Sequence, residues 1–125
     1  MKPSDHLAYF GEHPIIKNKT TKKEMKMTAD ELFAHVEQWA IHRGLDHKDY
    51  RHKQALKVME EVGETAAALA RSNKGKIKDG IGDSIVTLII LAMQCGFTAT
   101  ECLQAAYEEI RDRKGETVGG VFIKE

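Results

Sequence analysis

The chain has 125 residues, enough for one compact domain with little left for a second. Apolar residues make up 42% and charged residues 30%, and 19 basic side chains balance 19 acidic ones. That composition excludes a disordered chain. It also argues against a protein that holds nucleic acid mainly by bulk charge. The N-terminus is polar with no apolar signal core, and the longest apolar run, Ile85 to Met93, is broken by Thr87 and too short to span a bilayer. The expectation is a soluble, cytoplasmic protein with no membrane partner.

Residues 1–27 differ from the rest. Lys17, Lys19, Lys22, Lys23 and Lys26 crowd one stretch of it and both prolines fall there, with little helical periodicity. This segment reads as a basic N-terminal arm, either solvated or laid over the domain, and residues 28–125 as the helical domain. Thr28-Ala29-Asp30-Glu31 is a capping box that opens a first helix, whose apolar residues Leu32, Phe33, Val36, Trp39 and Ala40 recur at helical spacing up to a stop at Gly44. A polar link leads to a second helix over about 50–72. Asn73-Lys74-Gly75 is turn chemistry. The third helix runs over about 77–94 and is apolar nearly all round from Ile81, which places it at the centre of a bundle. A second capping box, Thr98 to Glu101, opens a fourth helix reaching about Arg113, and Gly119 to Ile123 reads as a short extended tail. The fold class is therefore all-α, a four-helix bundle.

Chemistry concentrates on the middle two helices. Glu60, Glu61 and Glu64 sit in M-E-E-V-G-E-T, where both the three-apart and the four-apart pair project to one side. Asp79 and Asp83, in K-D-G-I-G-D-S, share a face of the next helix. Glycines inside both motifs (Gly63, Gly80, Gly82) cost helix stability, and close approach of another helix or room for a substrate would account for them. Antiparallel packing would set Glu64 level with Asp79 and Glu61 level with Asp83. Acidic pairs of this kind also occur as a plain solvated face. Beside an apolar helix, however, they call for neutralisation. An all-oxygen donor set suits Mg²⁺, with Mn²⁺ as a substitute, better than Zn²⁺.

The run Glu60-Glu61-Val62-Gly63-Glu64 followed by Asp83 resembles the E-E-x-x-E and E-x-x-D pattern of the all-α nucleotide pyrophosphohydrolases, specifically their short MazG-like branch. Trp39-Ala40, Arg43-Gly44-Leu45, Gln54-Ala55-Leu56-Lys57, Ala106 to Ile110, Arg113-Lys114-Gly115 and Gly120-Val121-Phe122 also look typical of that branch. The resemblance covers residue 30 to the end. It implies metal-dependent hydrolysis of a nucleoside triphosphate, canonical or modified, to monophosphate and pyrophosphate, a nucleotide-pool role, and a homo-oligomer, dimer or tetramer. Glu61, Glu64 and Asp83 would then be metal ligands, and Glu60 a ligand or the base that orients water. Asp79 would stand in for the glutamate that the pattern places at Gly80. Lys57, Gln54, Arg111, Arg113, Lys114 and Trp39 become substrate contacts. Glu108 stands where such proteins often carry asparagine.

Plainer roles exist for several of these residues. Arg111, Arg113 and Lys114 complement a helix C-terminus, Lys57 pairs with Glu61 one turn on, and Trp39 is a core residue. Cys95 and Cys102 fit ordinary thiols. His42, His47 and His52 read as surface residues. The alternative function is a non-catalytic, metal-binding helical interaction module.

Overall fold

The computed structural model describes residues 26–125. The chain divides into two compact units, Met1–Leu45 and Asp46–Glu125. All but the last two residues of the expected basic arm lie outside the described residues.

In the first unit, helix α1 spans Ala29–His42. Thr28 accepts from the Glu31 amide at 3.2 Å, and Glu31 Oε1 accepts from the Thr28 amide at 3.0 Å. These bonds satisfy two of the donors that a helix start leaves open. Bonding to Thr28 also holds the Glu31 carboxyl below the ordinary carboxylate range. At the other end the Leu45 amide reaches back to Ala40 and the Gly44 amide to Ile41, a Schellman closure.

The second unit opens with a 3-10 turn, Lys48–Tyr50, capped by His47 Nδ1, which accepts from the Asp49 amide at 3.1 Å. Helix α2 (Arg51–Ala70), helix α3 (Lys74–Gln94) and helix α4 (Ala99–Ile110) follow. The chain is all-α apart from one small hairpin. No helix among the described residues is long and apolar enough to cross a membrane by itself.

Two boundaries differ from expectation. Helix α3 begins at Lys74 rather than Ile77, so the link between α2 and α3 is only three residues long. Asn73 makes this possible by serving both helices: its amide donates to Ala68 O at 3.1 Å, and its Oδ1 accepts from the Lys76 amide at 3.2 Å. Ser72 takes the left-handed position of the α2 closure, with φ +55°. Glycine normally fills that position, because a side chain there crowds the following carbonyl. The second difference is the tail. Strands β1 (Gly115–Val118) and β2 (Val121–Lys124) pair antiparallel, with Val118 opposite Val121. Gly119 and Gly120 both have positive φ, the requirement of a two-residue type I′ turn.

Helices α2 and α3 form an antiparallel hairpin. Gln54 Nε2 donates to Thr87 O at 3.1 Å, and Thr65 packs on Gly80, so early positions of α2 meet late positions of α3. The residues that α2 withdraws from solvent along this contact are Gln54, Val58, Glu61, Thr65 and Ala68. Those of α3 are Gly80, Ser84, Thr87, Leu91 and Gln94. Both sets step by four and three residues, the spacing of a coiled-coil seam. Small and polar residues dominate this inner seam. From the apolar run of α3 this seam takes Leu91, beside Thr87. Ile89 and Ile90 are buried, but Ile81, Ile85 and Leu88 remain about half exposed. The expected all-round burial of α3 is thus corrected: Ile81, Ile85 and Leu88, along with Gly82 and Asp83, stay exposed. Helix α4 turns away from α3 by 100°.

Candidate metal site

Glu60, Glu61 and Glu64 each offer a carboxylate oxygen, and these oxygens lie within 4.8 Å of one another. One helix suffices to assemble them, since positions three and four apart are neighbours on its surface. Glu61 belongs to the inner seam, and its side chain is 12% exposed, whereas Glu60 and Glu64 lie on the solvent side. Desolvation pushes the Glu61 carboxyl above its ordinary value, with Glu64 adding to the shift and Lys57 opposing it. The charges of Asp83 and Glu60 raise it further.

Thr65 anchors this geometry. Its hydroxyl donates to Glu61 O at 2.8 Å. A Cβ on Gly80 would fall on the Thr65 hydroxyl, and at 3.1 and 3.2 Å from Thr65 Cβ and Cα. The two helices are therefore in close contact at Thr65 and Gly80, beside the acids. The reason foreseen for these glycines applies to Gly80 alone. A Cβ added at Gly63 or Gly82 would meet nothing within 4 Å, so no neighbouring helix requires those two.

Thr65 and Gly80 also set the levels of the other acids. Three residues along α3 from Gly80, Asp83 stands level with Val62, between Glu61 and Glu64. Asp79 stands level with Ala66, past Glu64 towards the link. Asp83 is thus the carboxylate of α3 placed level with the cluster, and its influence on Glu61 agrees with that level.

The remaining predicted residues divide into two groups. Lys57 sits on the acids, with Nζ 2.6 Å from Glu60 Oε1 and 3.9 Å from Glu61 Oε2. Gln54 gives its amide to the inner seam at Thr87. Arg111 pairs with Asp112 at 3.5 Å and Arg113 with Glu109 at 2.8 Å, and the Lys114 carbonyl accepts from the Glu125 amide. No ion pair among the described residues joins these three to the acids. Glu108 accepts from Gln104 at 3.0 Å. Trp39 belongs to the first unit, where the Arg43 guanidinium lies 5.1 Å from its ring centre. Thr65 was not foreseen as a site residue. The available signal was its place four residues after Glu61, on the same seam.

The donors fit a hard divalent cation. Three carboxylates crowd one point, a fourth stands level with them, and one is shielded enough to resist ionisation. A cation there would relieve both the repulsion and the desolvation.

A family model described as the MazG nucleotide pyrophosphohydrolase domain matches residues 51–118, a span that contains α2, α3, α4 and β1. An uncharacterized 18.2 kDa protein from the rep–hol intergenic region of Haemophilus phage HP1 is 42% identical over 64 residues, which is 51% of this chain. The alignment spans 39% of that phage protein's length. No solved structure matches the chain.

Proposed function

The chain belongs to the MazG nucleotide pyrophosphohydrolase family, and from that membership we propose that it cleaves nucleoside triphosphates between the α and β phosphorus atoms in a Mg²⁺-dependent reaction. The products are a nucleoside monophosphate and pyrophosphate. The observation that carries this reading is the convergence of Glu60, Glu61 and Glu64 at one point, with Asp83 level with them on the facing helix. Glu61, Glu64 and Asp83 would hold the cation. When bound, Mg²⁺ supplies charge neutralisation for the triphosphate and acidifies water.

The protein's own groups do the rest. The carboxylate of Glu60, exposed and next to the shielded Glu61, orients the attacking water and accepts its proton. Lys57 now neutralises Glu60 at 2.6 Å. With a cation in place its ammonium is released to a phosphate oxygen of the substrate. Thr65 and Gly80 hold the two helices at the separation that keeps Asp83 level with the cluster.

A second reading, a metal-binding helical module without turnover, draws on Gly80. The carboxylate that the family pattern places there has no room, because even a Cβ meets Thr65. One experiment separates the two. Pyrophosphate release is measured from a panel of canonical and modified nucleoside triphosphates with Mg²⁺, with Mn²⁺ and with chelator, for the wild type and Glu61→Gln. Metal-dependent release that is lost in the variant supports the hydrolase. Mn²⁺ binding without release from any nucleotide supports the module.

A further inference from the structure

Lys53 and Lys57 share a heading on α2 with the exposed acids. Each lies one residue before an inner-seam position, Gln54 and Val58, just as Glu60 and Glu64 precede Glu61 and Thr65. A one-residue step turns about 100° around a helix axis, so these four residues line one side of the hairpin. Because the helices are antiparallel, the same backward step on α3 carries Asp79 and Asp83 to that side, along with Lys76 one turn earlier. Charge along this side therefore changes sign twice. Lys76 stands at the link end, the acids occupy the middle, and Lys57 and then Lys53 lead towards the start of α2.

We infer that Lys53 binds the terminal phosphate of a nucleoside triphosphate, so that the phosphate chain leaves the acids along Lys57 towards the start of α2. The inference rests on the pyrophosphohydrolase reading above and adds to it a direction and a residue. A polyanion held at the acids has two ways to run. Towards the link it would pass Glu64 and Asp79 before reaching Lys76, and the Arg71 guanidinium beside that end is spent on Ala67 O at 3.2 Å. Towards the start of α2 it meets Lys57 at once. Nothing acidic faces it from α3, which carries no charged residue between Asp83 and its end at Gln94. Asp49, one turn before Lys53, keeps its Oδ2 3.5 Å from His47 Nδ1.

The two lysines differ in what already holds them. The hydrogen bond to Glu60, with the charges of Glu60, Glu61 and Glu64, pushes the Lys57 ammonium above its ordinary value. Lys53 is exposed and pairs with no acid among the described residues, so its charge is open to a ligand. Measured from Glu61, Lys57 is about 6 Å of rise along the helix and Lys53 about 12 Å. Successive phosphates beyond the acids thus meet successive cations. A flexible ammonium suits a phosphate as a point charge. A diphosphate chain would end one phosphate short, which makes Lys53 the residue that distinguishes triphosphate from diphosphate.

The test uses the purified full chain with Mg²⁺ and inorganic tripolyphosphate as the probe. Calorimetry should show binding weakened roughly threefold by Lys53→Gln and roughly tenfold by Lys53→Glu, with Lys53→Arg and Lys76→Glu close to the wild type. Inorganic pyrophosphate, the shorter chain, should bind Lys53→Gln and the wild type alike. In the wild type, tripolyphosphate should slow acetylation of Lys53, read by mass spectrometry, and leave Lys76 reactive. Protection of Lys76 in place of Lys53 overturns the inference, as does a probe that fails to bind or binds Lys53→Glu as tightly as the wild type. Pyrophosphate release from the nucleotide panel is followed on the same preparations, where Lys53→Glu should raise KM with kcat little changed. Release with an unaltered KM in Lys53→Glu overturns the inference and leaves the hydrolase reading standing. Protection of Lys53 without release from any nucleotide supports the phosphate path and removes the hydrolase reading instead.

Discussion

Two glycines of one helical turn, Gly80 and Gly82, should respond oppositely to the same substitution. Alanine at a helix-interior glycine gains about 1 kcal/mol from propensity alone. At Gly82 nothing stands within 4 Å of the added carbon, so Gly82→Ala should show the whole gain. At Gly80 the carbon would land on the Thr65 hydroxyl and within 3.2 Å of the Thr65 Cα, which is backbone and cannot rotate away. Forcing a methyl into such a contact costs about 1–3 kcal/mol. Subtracting the propensity gain leaves Gly80→Ala about 0–2 kcal/mol less stable than the wild type. For a chain of this size each kcal/mol moves the midpoint by roughly 3–5 °C, so the two variants should melt several degrees apart, on opposite sides of the wild type. Thermal unfolding followed by circular dichroism, with urea titration as a second measure, reads this directly. Thr65→Ala in the Gly80→Ala background should recover part of the loss, with a coupling of about 0.5 kcal/mol or more. Should Gly80→Ala stabilise the protein as much as Gly82→Ala, the claim that the helices touch at Gly80 is wrong.

Three further outcomes are expected. With chelator at pH 7, Glu61→Gln should melt higher than the wild type, by the ~0.2–0.5 kcal/mol that each relieved like-charge pair contributes. The folded state raises the Glu61 pKa above the ordinary value near 4.5, so its stability contribution is full below that pH and declines as pH rises through the folded-state value. The gain should therefore vanish in acid, and a variant that melts lower at pH 7 would contradict the assigned strain. Ser72→Gly should stabilise by up to about 1 kcal/mol, because it removes a side chain from a left-handed position; an unchanged urea midpoint would show that the strain is relieved elsewhere. Thr98→Ala should cost about 1 kcal/mol through loss of the bond from the Glu101 amide at 3.0 Å, measurable as faster amide exchange in the first turn of α4.

Much of the local structure is written in short-range chemistry. Thr28-x-x-Glu31 and Thr98-x-x-Glu101 announce helix starts because both partners of each capping bond lie within four residues. Glu60, Glu61 and Glu64 are legible as a cluster for the same reason, since one helix sets their spacing. What escaped depends on contacts between helices. Gly63, Gly80 and Gly82 are alike in sequence, and only the position of Thr65 separates the necessary one from the other two. The apolar run of α3 suggested a helix buried all round, because composition does not say which stripe faces α2. That stripe turned out to be Gly80, Ser84, Thr87, Leu91 and Gln94. Ser72 was unreadable, as it does a glycine's work. The hairpin was missed in favour of a short extended tail, although Gly119-Gly120 between Thr117-Val118 and Val121-Phe122 is a turn signal.

Asn73 closes one helix with its backbone and opens the next with its side chain, which leaves the link no slack. The rotational phase of α3 relative to α2 is thereby locked. A single residue inserted after Asn73 would turn α3 by about 100° if both caps re-formed. Asp79 would then stand near the place of Gly80 against Thr65, and Asp83 would leave the acids for a new heading. The three-residue link thus acts as the indexing pin of the site: side chains here can be exchanged one at a time, but the length of this link cannot change without mismatching every pair across the hairpin at once.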